Sequence, residues 1–309
     1  MIDRADPFAP CDTGRVTSTV PGSLRLLRDR VDDTLTAFLE GVQAEVAAEQ
    51  PEAMLPLDEI RRLVAAGGKR LRPGVCYWGH LAAGGDDGDA IVRASAALEL
   101  LHTMALIHDD LMDGTLERRG VAASEIHLAS YARRQGLRVD PDRFGRSAAI
   151  LAGDLAAVLA DRMLLESGFP AGRVAAALTP YHRMRTEMAL GQFLDVAGFG
   201  GASAADPALA RRAARLKGGS YTVEGPLSVG AALAAADPEV MVTLMSFGGP
   251  LGEAFQLRDD VIDGESVHGV TPAEVNELVG RARAALDPAV LEPVARAALD
   301  ALARSVGMQ

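Results

Sequence analysis

The sequence has few cysteines, few aromatic residues and no excess of positive charge. Its 309 residues include two cysteines, Cys11 and Cys76, and only 4% aromatic residues. The cysteines lack the spacing of a zinc site and are expected to be free thiols in a reducing compartment. A metal ion, if one is bound, would therefore be held by oxygen. The formal net charge of −11 argues against a nucleic-acid-binding surface.

Signals for secretion or membrane insertion are also lacking. The start, MIDRADPFAP, carries charges and prolines where a signal peptide needs an apolar core. The sequence contains no run of about 18 uninterrupted apolar residues, so we predict no membrane span. We therefore expect a cytoplasmic protein, and we interpret residues 1–20 as a loose N-terminal segment.

Apolar residues recur three and four positions apart through most of the chain, and alternating strand patterns are lacking. This pattern is clearest over residues 23–49, 89–113 and 144–166. Helix starts are indicated where a capping residue precedes proline, at Asp140, Asp206, Asp237, Thr271 and Asp287. We predict an all-α helical bundle of about ten to twelve helices, forming one domain over residues 1–309.

Two Asp-Asp-x-x-Asp motifs end apolar helical segments. They are DDLMD at 109–113 and DDVID at 259–263. A single copy is weak support for a function, but a second copy at the same spacing is far less expected by chance. A solvated acidic helix end is the plain alternative, yet the helix dipole already disfavours negative charge at a C-terminus. Hard divalent cations, which bind oxygen ligands, would compensate for this negative charge, so we favour metal binding.

A basic segment, GGKRLRP, occupies residues 67–73. It places Lys69, Arg70 and Arg72 on a glycine-led turn that opens a helix. Free backbone amides and fixed positive charge at such a turn suit a phosphate group. The plain alternative is that these side chains are simply solvated.

Further cationic residues lie close to the first acidic motif or stand alone. Arg118 and Arg119 follow that motif after a short loop, and His102 lies two helical turns before Asp109. Lys217 is distant from any other lysine. Each of these residues alone is more simply a solvated or core side chain. Together they predict a polyanion held by metal ions on one side and by cationic groups on the other.

The order of these motifs resembles that of isoprenyl diphosphate synthases, the trans-prenyltransferases that couple an allylic diphosphate to isopentenyl diphosphate. The resemblance covers roughly residues 60–264 and is carried by GGKRLRP, HDDLMDGTLERRG, AGDLAAVLA, GQFLD, KGGSYTVEGPLSVGAALA and FQLRDDVID. It implies an all-α fold around a deep central cavity, a homodimer, and three Mg²⁺ ions with Mn²⁺ as an alternative ion. It also implies elongation of a trans-prenyl diphosphate.

The resemblance assigns roles to individual residues. It implies metal ligands at Asp109, Asp113 and Asp259. It implies carboxylates that support the metals through water at Asp110, Asp260 and Asp263. The isopentenyl diphosphate site would be formed by Lys69, Arg72, His102 and Arg119. The allylic diphosphate site would be formed by Arg118, Lys217 and Gln256. Residues lining the cavity near the metals would be Gln192 and Asp195.

The implied mechanism needs no protein nucleophile and no paired base. Mg²⁺ would draw off diphosphate as the leaving group, and the double bond of isopentenyl diphosphate would attack the allylic cation. In the family, bulky aromatics four or five residues before the first motif stop chain growth early. Here these positions are Ala105 and Met104, with Leu101 one turn deeper as the next floor. We therefore expect geranylgeranyl diphosphate as the product.

The sequence departs from the family pattern after DDVIDG. Two Gly-Lys elements have no counterpart there, and no lysine follows Lys217. Glycines at 218 and 225 also replace residues that are common in the family.

Several interpretations of this departure stay open. The segment is missing from this sequence, or the chain is naturally short and slow because water reaches the cation. Alternatively, the chain is a weakly active or regulatory subunit of a heteromeric synthase. A class I terpene cyclase is a further alternative, although GGKRLRP, His102 and Arg119 argue for a second diphosphate that a cyclase does not hold. A purely structural scaffold would require both acidic motifs to be coincidental.

Overall fold

The computed structural model describes residues 22–199, 206–263, 270–287 and 289–308, without the side chains of 22–25, 207, 260 and 263. The predicted segment at 1–20 lies outside the described residues. The helices are α1 (Gly22–Glu49), α2 (Leu55–Ala65), α3 (Leu71–Ala82), α4 (Asp89–Asp113), α5 (Ser124–Arg134), α6 (Pro141–Leu165), α7 (Ala171–Leu194), α8 (Pro207–Ala214), α9 (Gly225–Leu233), α10 (Pro238–Asp263), α11 (Pro272–Ala284) and α12 (Pro293–Val306). A 3₁₀ turn, Pro51–Ala53, joins α1 to α2. The predicted all-α fold is confirmed.

Helix α4 lies at the centre of the bundle, in contact with α1, α2, α3, α6 and α9. Most of its side chains are buried, and they join a hydrophobic core that runs from Leu27 in α1 to Val306 in α12. Within the described residues, α4 is the one helix long and apolar enough to cross a membrane. However, 67% of its most apolar stretch is buried inside the protein. Core helices of soluble proteins have the same character, so α4 is weak support for a membrane span.

Capping side chains begin several helices where the sequence predicts them. Asp140 Oδ1 accepts a hydrogen bond from the Arg143 amide at 2.7 Å, and Asp206 Oδ1 accepts one from the Ala208 amide at 2.9 Å. Thr271 Oγ1 caps α11 in the same way. Such caps satisfy amides that have no partner inside the helix. They fix the starts of α6, α8 and α11.

The predicted helix start at Asp287 is wrong. Pro288 lies outside the described residues, and Asp287 Oδ1 accepts a hydrogen bond from the Ala289 amide in a turn. Helix α12 begins at Pro293, where the Glu292 carboxylate accepts a hydrogen bond from the Val294 amide at 2.9 Å. A glutamate cap before a second proline therefore takes the place of the expected aspartate cap.

A short β-hairpin, which the sequence pattern does not predict, follows α4. Its strands are β1 (Glu117–Arg118) and β2 (Val121–Ala122), and they pair antiparallel. The two turn residues, Arg119 and Gly120, both have positive φ, at 55° and 73°. Two-residue hairpins favour this geometry because it matches the twist of the strands. The hairpin sends Arg118 and Arg119 toward different parts of the molecule.

Two segments depart from α-helical winding. Asp195–Phe199 follows α7 and is kinked at Gly198, whose φ is 79°, and Arg215–Glu224 is a π-helix that connects α8 to α9. π-Helical turns are rare and are frequently found at functional sites. Asp195 and Lys217, both predicted site residues, lie in these two segments.

Candidate active site

A cavity of about 620 Å³ opens between α4, α7, the π-helix Arg215–Glu224 and α10. Its charged and polar lining residues are Arg72, His102, His108, Asp109, Arg185, Gln192, Lys217, Tyr221, Thr222, Gln256 and Asp259. The apolar residues of the wall include Met104, Ala105, Met112, Met188, Ala189, Phe193, Val196 and Phe255. The structure thus brings half of the predicted site residues to one cavity, namely Arg72, His102, Met104, Ala105, Asp109, Gln192, Lys217, Gln256 and Asp259.

Asp109 is the point at which three of these elements meet. Gln192 on α7 donates a hydrogen bond from Nε2 to Asp109 Oδ1 at 3.0 Å. The Lys217 ammonium lies 3.2 Å from the same oxygen and 2.6 Å from Asp195 Oδ2. Burial alone would lower the pKa of Lys217, but Asp195 and Asp109 outweigh it and raise that pKa above its usual value. Lys217 is therefore held as a cation between two carboxylates.

The first acidic motif does not direct all three carboxylates to one point. Asp109 lines the cavity, whereas Asp110 is 4% exposed and accepts a hydrogen bond from Arg118 Nε at 2.7 Å. Successive helical residues are turned by about 100°, which carries Asp110 off the face shared by Asp109 and Asp113. Asp110 therefore faces Arg118 rather than the cavity.

Burial and like charge disfavour ionisation of this motif. Burial raises the pKa of Asp110, with a further rise from Asp109 that Arg118 does not fully offset. Partial burial also raises the pKa of Asp113, again with a contribution from Asp109. Asp110 Oδ2 is buried and has no hydrogen-bond partner among the described residues. Excess carboxylate charge at Asp109 and Asp113 is what a hard cation such as Mg²⁺ would compensate, so the chemistry of these donors fits that ion.

The second acidic motif faces the first across the cavity. Gln256 and Asp259 line the cavity from α10. The side chains of Asp260 and Asp263 lie outside the described residues, as does the segment 264–269 where the sequence departs from the family pattern. The described residues contain no group of three ligands close enough to hold a metal ion. The metal ligands at Asp109, Asp113 and Asp259 therefore stay a prediction.

Arg72, His102 and Tyr221 form a second side of the cavity, whose positive charge comes from Arg72. The Arg72 guanidinium carbon lies 4.3 Å from the Tyr221 ring centroid, and its NH2 donates to Thr222 Oγ1 at 2.9 Å. Arg72 Nε, His102 Nδ1 and the Tyr221 hydroxyl are buried without a hydrogen-bond partner in the part of the chain that the structure describes. Leaving such an atom unsatisfied costs about 1–3 kcal/mol. A polar ligand here would remove that cost.

The protonation of His102 follows from its surroundings. Burial lowers its pKa well below the usual value, and the positive charges of Arg72 and Arg119 lower it further. The imidazole is therefore neutral at pH 7, with one ring nitrogen to donate a hydrogen bond. Burial also lowers the pKa of Arg72, although guanidinium remains charged.

The basic segment at residues 67–73 separates into three environments. Lys69 is exposed, whereas Arg72 lines the cavity. Arg70 has a left-handed φ of 48° and is buried, with NH1 donating to Glu99 Oε1 at 2.6 Å and Nε donating to Asp32 Oδ1 at 2.6 Å. The prediction that Arg70 belongs to a phosphate-binding turn is therefore wrong, because its charge is already neutralised by two carboxylates.

Arg118 and Arg119 are not among the residues that line the cavity. Arg118 pairs with Asp110 and comes within 3.6 Å of Asp109. Arg119 NH2 donates to Glu99 Oε1 at 2.9 Å. Both predicted diphosphate ligands are thus held by carboxylates of α4, from which they would have to reach a substrate.

The chain-length residues occupy different depths. Met104 and Ala105 line the cavity, as predicted, and neither closes it as an aromatic side chain would. Leu101 is fully buried in the core and is not among the lining residues. Leu101 could limit product length only for a tail that passes beyond the residues that line the cavity.

Position 218 has little room for a side chain larger than that of glycine. A Cβ atom there would lie 1.7 Å from Gln256 Oε1, so any larger residue would push Gln256 out of its place. The π-helix also approaches α7 closely, because a Cβ at Gly191 would lie 2.3 Å from the Lys217 amide nitrogen. Gly191 thus permits a close backbone contact beside Lys217, and Gly218 leaves room for the end of the Gln256 side chain.

Some site residues were not identified from the sequence. Glu99 neutralises Arg70 and Arg119, and Tyr221 and Thr222 contact Arg72. Arg185 also lines the cavity. Arg185 lies seven residues before Gln192, and this helical spacing could have predicted that both side chains lie on the same face of the helix. The ion pairs of Glu99 depend on tertiary contacts, which the sequence does not reveal.

The fold and the site define an all-α protein with a cavity that is charged at one end and apolar along its wall. Such a cavity suits an amphiphile with an anionic head and an apolar tail. The chain belongs to the polyprenyl synthetase family, whose sequence profile matches residues 56–271. The resemblance predicted over roughly residues 60–264 is thereby confirmed.

Characterised relatives and solved structures agree with this assignment. The chain is 31% identical over 225 residues to the short chain isoprenyl diphosphate synthase of Methanothermobacter thermautotrophicus, with 72% of this chain and 62% of that protein covered. It is 34% identical over 229 residues to the geranylgeranyl diphosphate synthase of Mycobacterium tuberculosis, covering 73% and 59%. The chain thus spans less than two thirds of the length of both relatives.

A solved structure resembles the whole fold. It is a geranylgeranyl pyrophosphate synthase from Corynebacterium glutamicum, complexed with isoprenyl diphosphate and magnesium. The TM-score is 0.83 at 27% identity, and the match covers 92% of this chain and 99% of that one.

Proposed function

We propose that this protein is a Mg²⁺-dependent prenyltransferase that condenses isopentenyl diphosphate with an allylic diphosphate. The observation that carries the proposal is a single cavity in which Asp109 and Lys217 face one region, Arg72 and His102 face another, and apolar side chains line the wall. Two anionic heads and one apolar tail are the groups that this arrangement would hold. The named relatives, which include short chain and geranylgeranyl diphosphate synthases, support it.

The allylic diphosphate would bind at the carboxylate end of the cavity. Asp109, Asp113 and Asp259 would hold Mg²⁺, which when bound supplies charge that stabilises the leaving diphosphate. Lys217 would contribute a fixed ammonium to the same diphosphate, because Asp109 and Asp195 keep it protonated. Gln192 would orient Asp109 through their hydrogen bond. Gln256 would contact the allylic substrate from α10.

The isopentenyl diphosphate would bind at the cationic end. The unpartnered Nε of Arg72 and Nδ1 of His102 would donate hydrogen bonds to its diphosphate. Lys69 is exposed and would contribute a further ammonium group to this diphosphate. Arg119 would be shared between the ligand and Glu99. The apolar wall around Met104 would shield the developing cation from water.

We propose geranylgeranyl diphosphate as the product, since Met104 and Ala105 leave the upper cavity open. We also propose a homodimer, for which α6 offers a row of exposed apolar side chains at Leu151, Val158 and Leu165. The cytoplasmic location also stays a prediction.

The alternative of a weakly active or regulatory subunit rests on the sequence departure after residue 264. The presence of Asp109 and Lys217 in contact within one cavity favours the synthase over this alternative. A terpene cyclase is disfavoured by the second cationic region at Arg72 and His102.

One incubation distinguishes these functions. The protein is mixed with Mg²⁺, labelled isopentenyl diphosphate and geranyl or farnesyl diphosphate, and the products are identified by chromatography. Elongated diphosphates support the proposal, cyclic hydrocarbons support a cyclase, and activity only with an added synthase supports a regulatory subunit.

Two substitutions test the metal assignment. Asp109→Ala and Asp259→Ala should each abolish elongation because each removes a metal ligand. Asp142→Ala is the matched control, since its side chain is 64% exposed on α6 and pairs only with Arg133 in the described chain. Near-normal elongation by either active-site variant would refute the assignment.

A further inference from the structure

Helix α7 presents one continuous stripe of residues to the cavity. Gln192, Ala189, Met188 and Arg185 are spaced three or four positions apart, and all four line the cavity. Gln192 is bonded to Asp109 at the mouth, and Arg185 lies seven residues earlier, about 10 Å further along the helix. The stripe is therefore polar at Gln192, apolar in the middle and cationic at Arg185.

The Arg185 guanidinium is fixed in position by two neighbours. Its NH1 donates to Asp161 Oδ1 on α6 at 2.7 Å, and the hydroxyl of Tyr181 donates to the same oxygen at 2.9 Å. The guanidinium carbon lies 5.2 Å from the Tyr181 ring centroid. Burial raises the pKa of Tyr181, so its hydroxyl stays protonated and remains a donor. We call Arg185, Asp161 and Tyr181 the polar floor.

The polar floor lies further along its helix from the Gln192–Asp109 contact than Met104 and Ala105 lie along α4, two of the residues that the sequence pattern assigns to chain length. Met104 lies five residues before Asp109, about 7.5 Å along α4, whereas Arg185 lies about 10 Å along α7 from the partner of Asp109. The ion pair also links α6 to α7 at this depth. A tail that grows past Met104 would next meet a charged side chain rather than an apolar one.

We propose that the polar floor limits product length, with Arg185 as the specificity-determining residue; this rests on the proposed prenyltransferase function. An apolar tail that reaches Arg185 cannot hydrogen-bond to it, and it would exclude the water that still reaches the pair. The Arg185 and Asp161 side chains are 26% and 39% exposed, so there is hydration to lose. Burying an ion pair under hydrocarbon is unfavourable, and growth stops where that cost begins.

The test compares two arginines on the same helix. Arg185→Met removes the charge but keeps an unbranched side chain, and we expect the ratio of longer to wild-type products to rise at least about tenfold, equal to about 1.4 kcal/mol. Arg183→Met is the matched control, because Arg183 is 72% exposed and pairs with Glu187. Arg185→Lys should keep the wild-type product. An unchanged product ratio in Arg185→Met, or an equal shift in Arg183→Met, would overturn the proposal.

A binding measurement keeps the proposal testable if Arg185→Met turns over slowly. Unreactive prenyl thiodiphosphates of increasing length are titrated in Mg²⁺ into the wild type and the variant. The wild type should lose affinity at the first tail longer than its product, and Arg185→Met should not. Equal loss in both proteins refutes the polar floor. Asp161→Asn, which weakens the same pair, provides a second variant should Arg185→Met fail to fold.

The two proposals fail in different ways. Absence of any elongated diphosphate from the wild type would refute the prenyltransferase function, and the role of Arg185 in product length would fall with it. Elongation with an unchanged product ratio in Arg185→Met would refute the polar floor alone.

Discussion

Replacing Glu99 with glutamine removes one buried negative charge that two arginines share. Glu99 is 2% exposed, and its Oε1 accepts hydrogen bonds from Arg70 at 2.6 Å and from Arg119 at 2.9 Å. Arg70 keeps a second carboxylate, Asp32, at 2.6 Å. Arg119 has only a 3.3 Å contact to the Leu63 carbonyl besides Glu99 among the described residues. The substitution therefore weakens the interactions of Arg119 more than those of Arg70.

The magnitude follows from this geometry. Removing one partner of a buried ion pair typically costs about 3–5 kcal/mol. Glutamine retains an acceptor oxygen, and Asp32 still neutralises Arg70, so we expect the lower end of that range, about 3 kcal/mol. Domains of this kind are stable by about 5–15 kcal/mol, so the variant should fold but unfold at a lower denaturant concentration.

Equilibrium unfolding in urea, followed by fluorescence, measures this loss. The chain has one tryptophan, Trp78, which is 7% exposed and will report unfolding of the core. Asp58→Asn is the control, because Asp58 is 51% exposed and lies 3.8 Å from Arg61, and a pair of this kind contributes below about 1 kcal/mol. A decrease of less than about 1 kcal/mol in the free energy of unfolding of Glu99→Gln would refute the reasoning, since a surface ion pair contributes that much.

The same substitution should affect one substrate more than the other. Arg119 is a predicted ligand of isopentenyl diphosphate and loses its anchor in Glu99→Gln. We expect kcat/KM for isopentenyl diphosphate to fall about tenfold, as for one hydrogen bond to a charged group, with little change in KM for the allylic substrate. Equal losses for both substrates would show that Glu99 acts only through stability.

Two further predictions concern the acidic motif and the wall. Met104→Phe should shorten the product, because an aromatic ring at this depth would close the cavity above Arg185; an unchanged product profile would remove Met104 from the wall. Asp113→Asn should raise the melting temperature at pH 7 in EDTA, because the folded state raises the pKa of Asp113 and so disfavours its charged form. The gain should vanish as the pH falls below about 4, where Asp113 is protonated in both states, and should shrink in Mg²⁺. Equal melting temperatures at pH 7 would contradict this reading.

The features that the sequence could predict are those that depend on local chemistry. Asp140, Asp206 and Thr271 precede prolines and cap helices as expected, because capping involves only neighbouring backbone amides. The unbroken helix from Asp89 to Asp113 is likewise a local property of its apolar spacing. It carries the wall and the acidic motif on one rigid element.

The features that the sequence could not predict depend on distant contacts. Arg70 and Arg72 are the same residue type and lie two positions apart in the sequence. Only tertiary contacts turn Arg70 toward Glu99 and Arg72 toward the cavity. The hairpin at Glu117–Ala122 has no alternating apolar pattern to predict it, since each strand has only two residues. Asp287 also shows the limit of local patterns. It precedes a proline as the other capping residues do, yet α12 begins later and is capped by Glu292.

The hairpin connects the anionic and cationic sides of the site through a chain of ion pairs. Arg118 binds Asp110, which adjoins the cavity residue Asp109, while the next residue, Arg119, binds Glu99, eleven positions before Asp110 on α4. Because Arg118 and Arg119 are adjacent, the two anchor points on α4 cannot shift independently. The structure therefore fixes the spacing between the proposed allylic and isopentenyl diphosphate sites with one rigid helix and one two-residue turn. Such a fixed spacing is what a condensation between two separately bound diphosphates requires, because the reacting carbons must meet within a narrow range of distance.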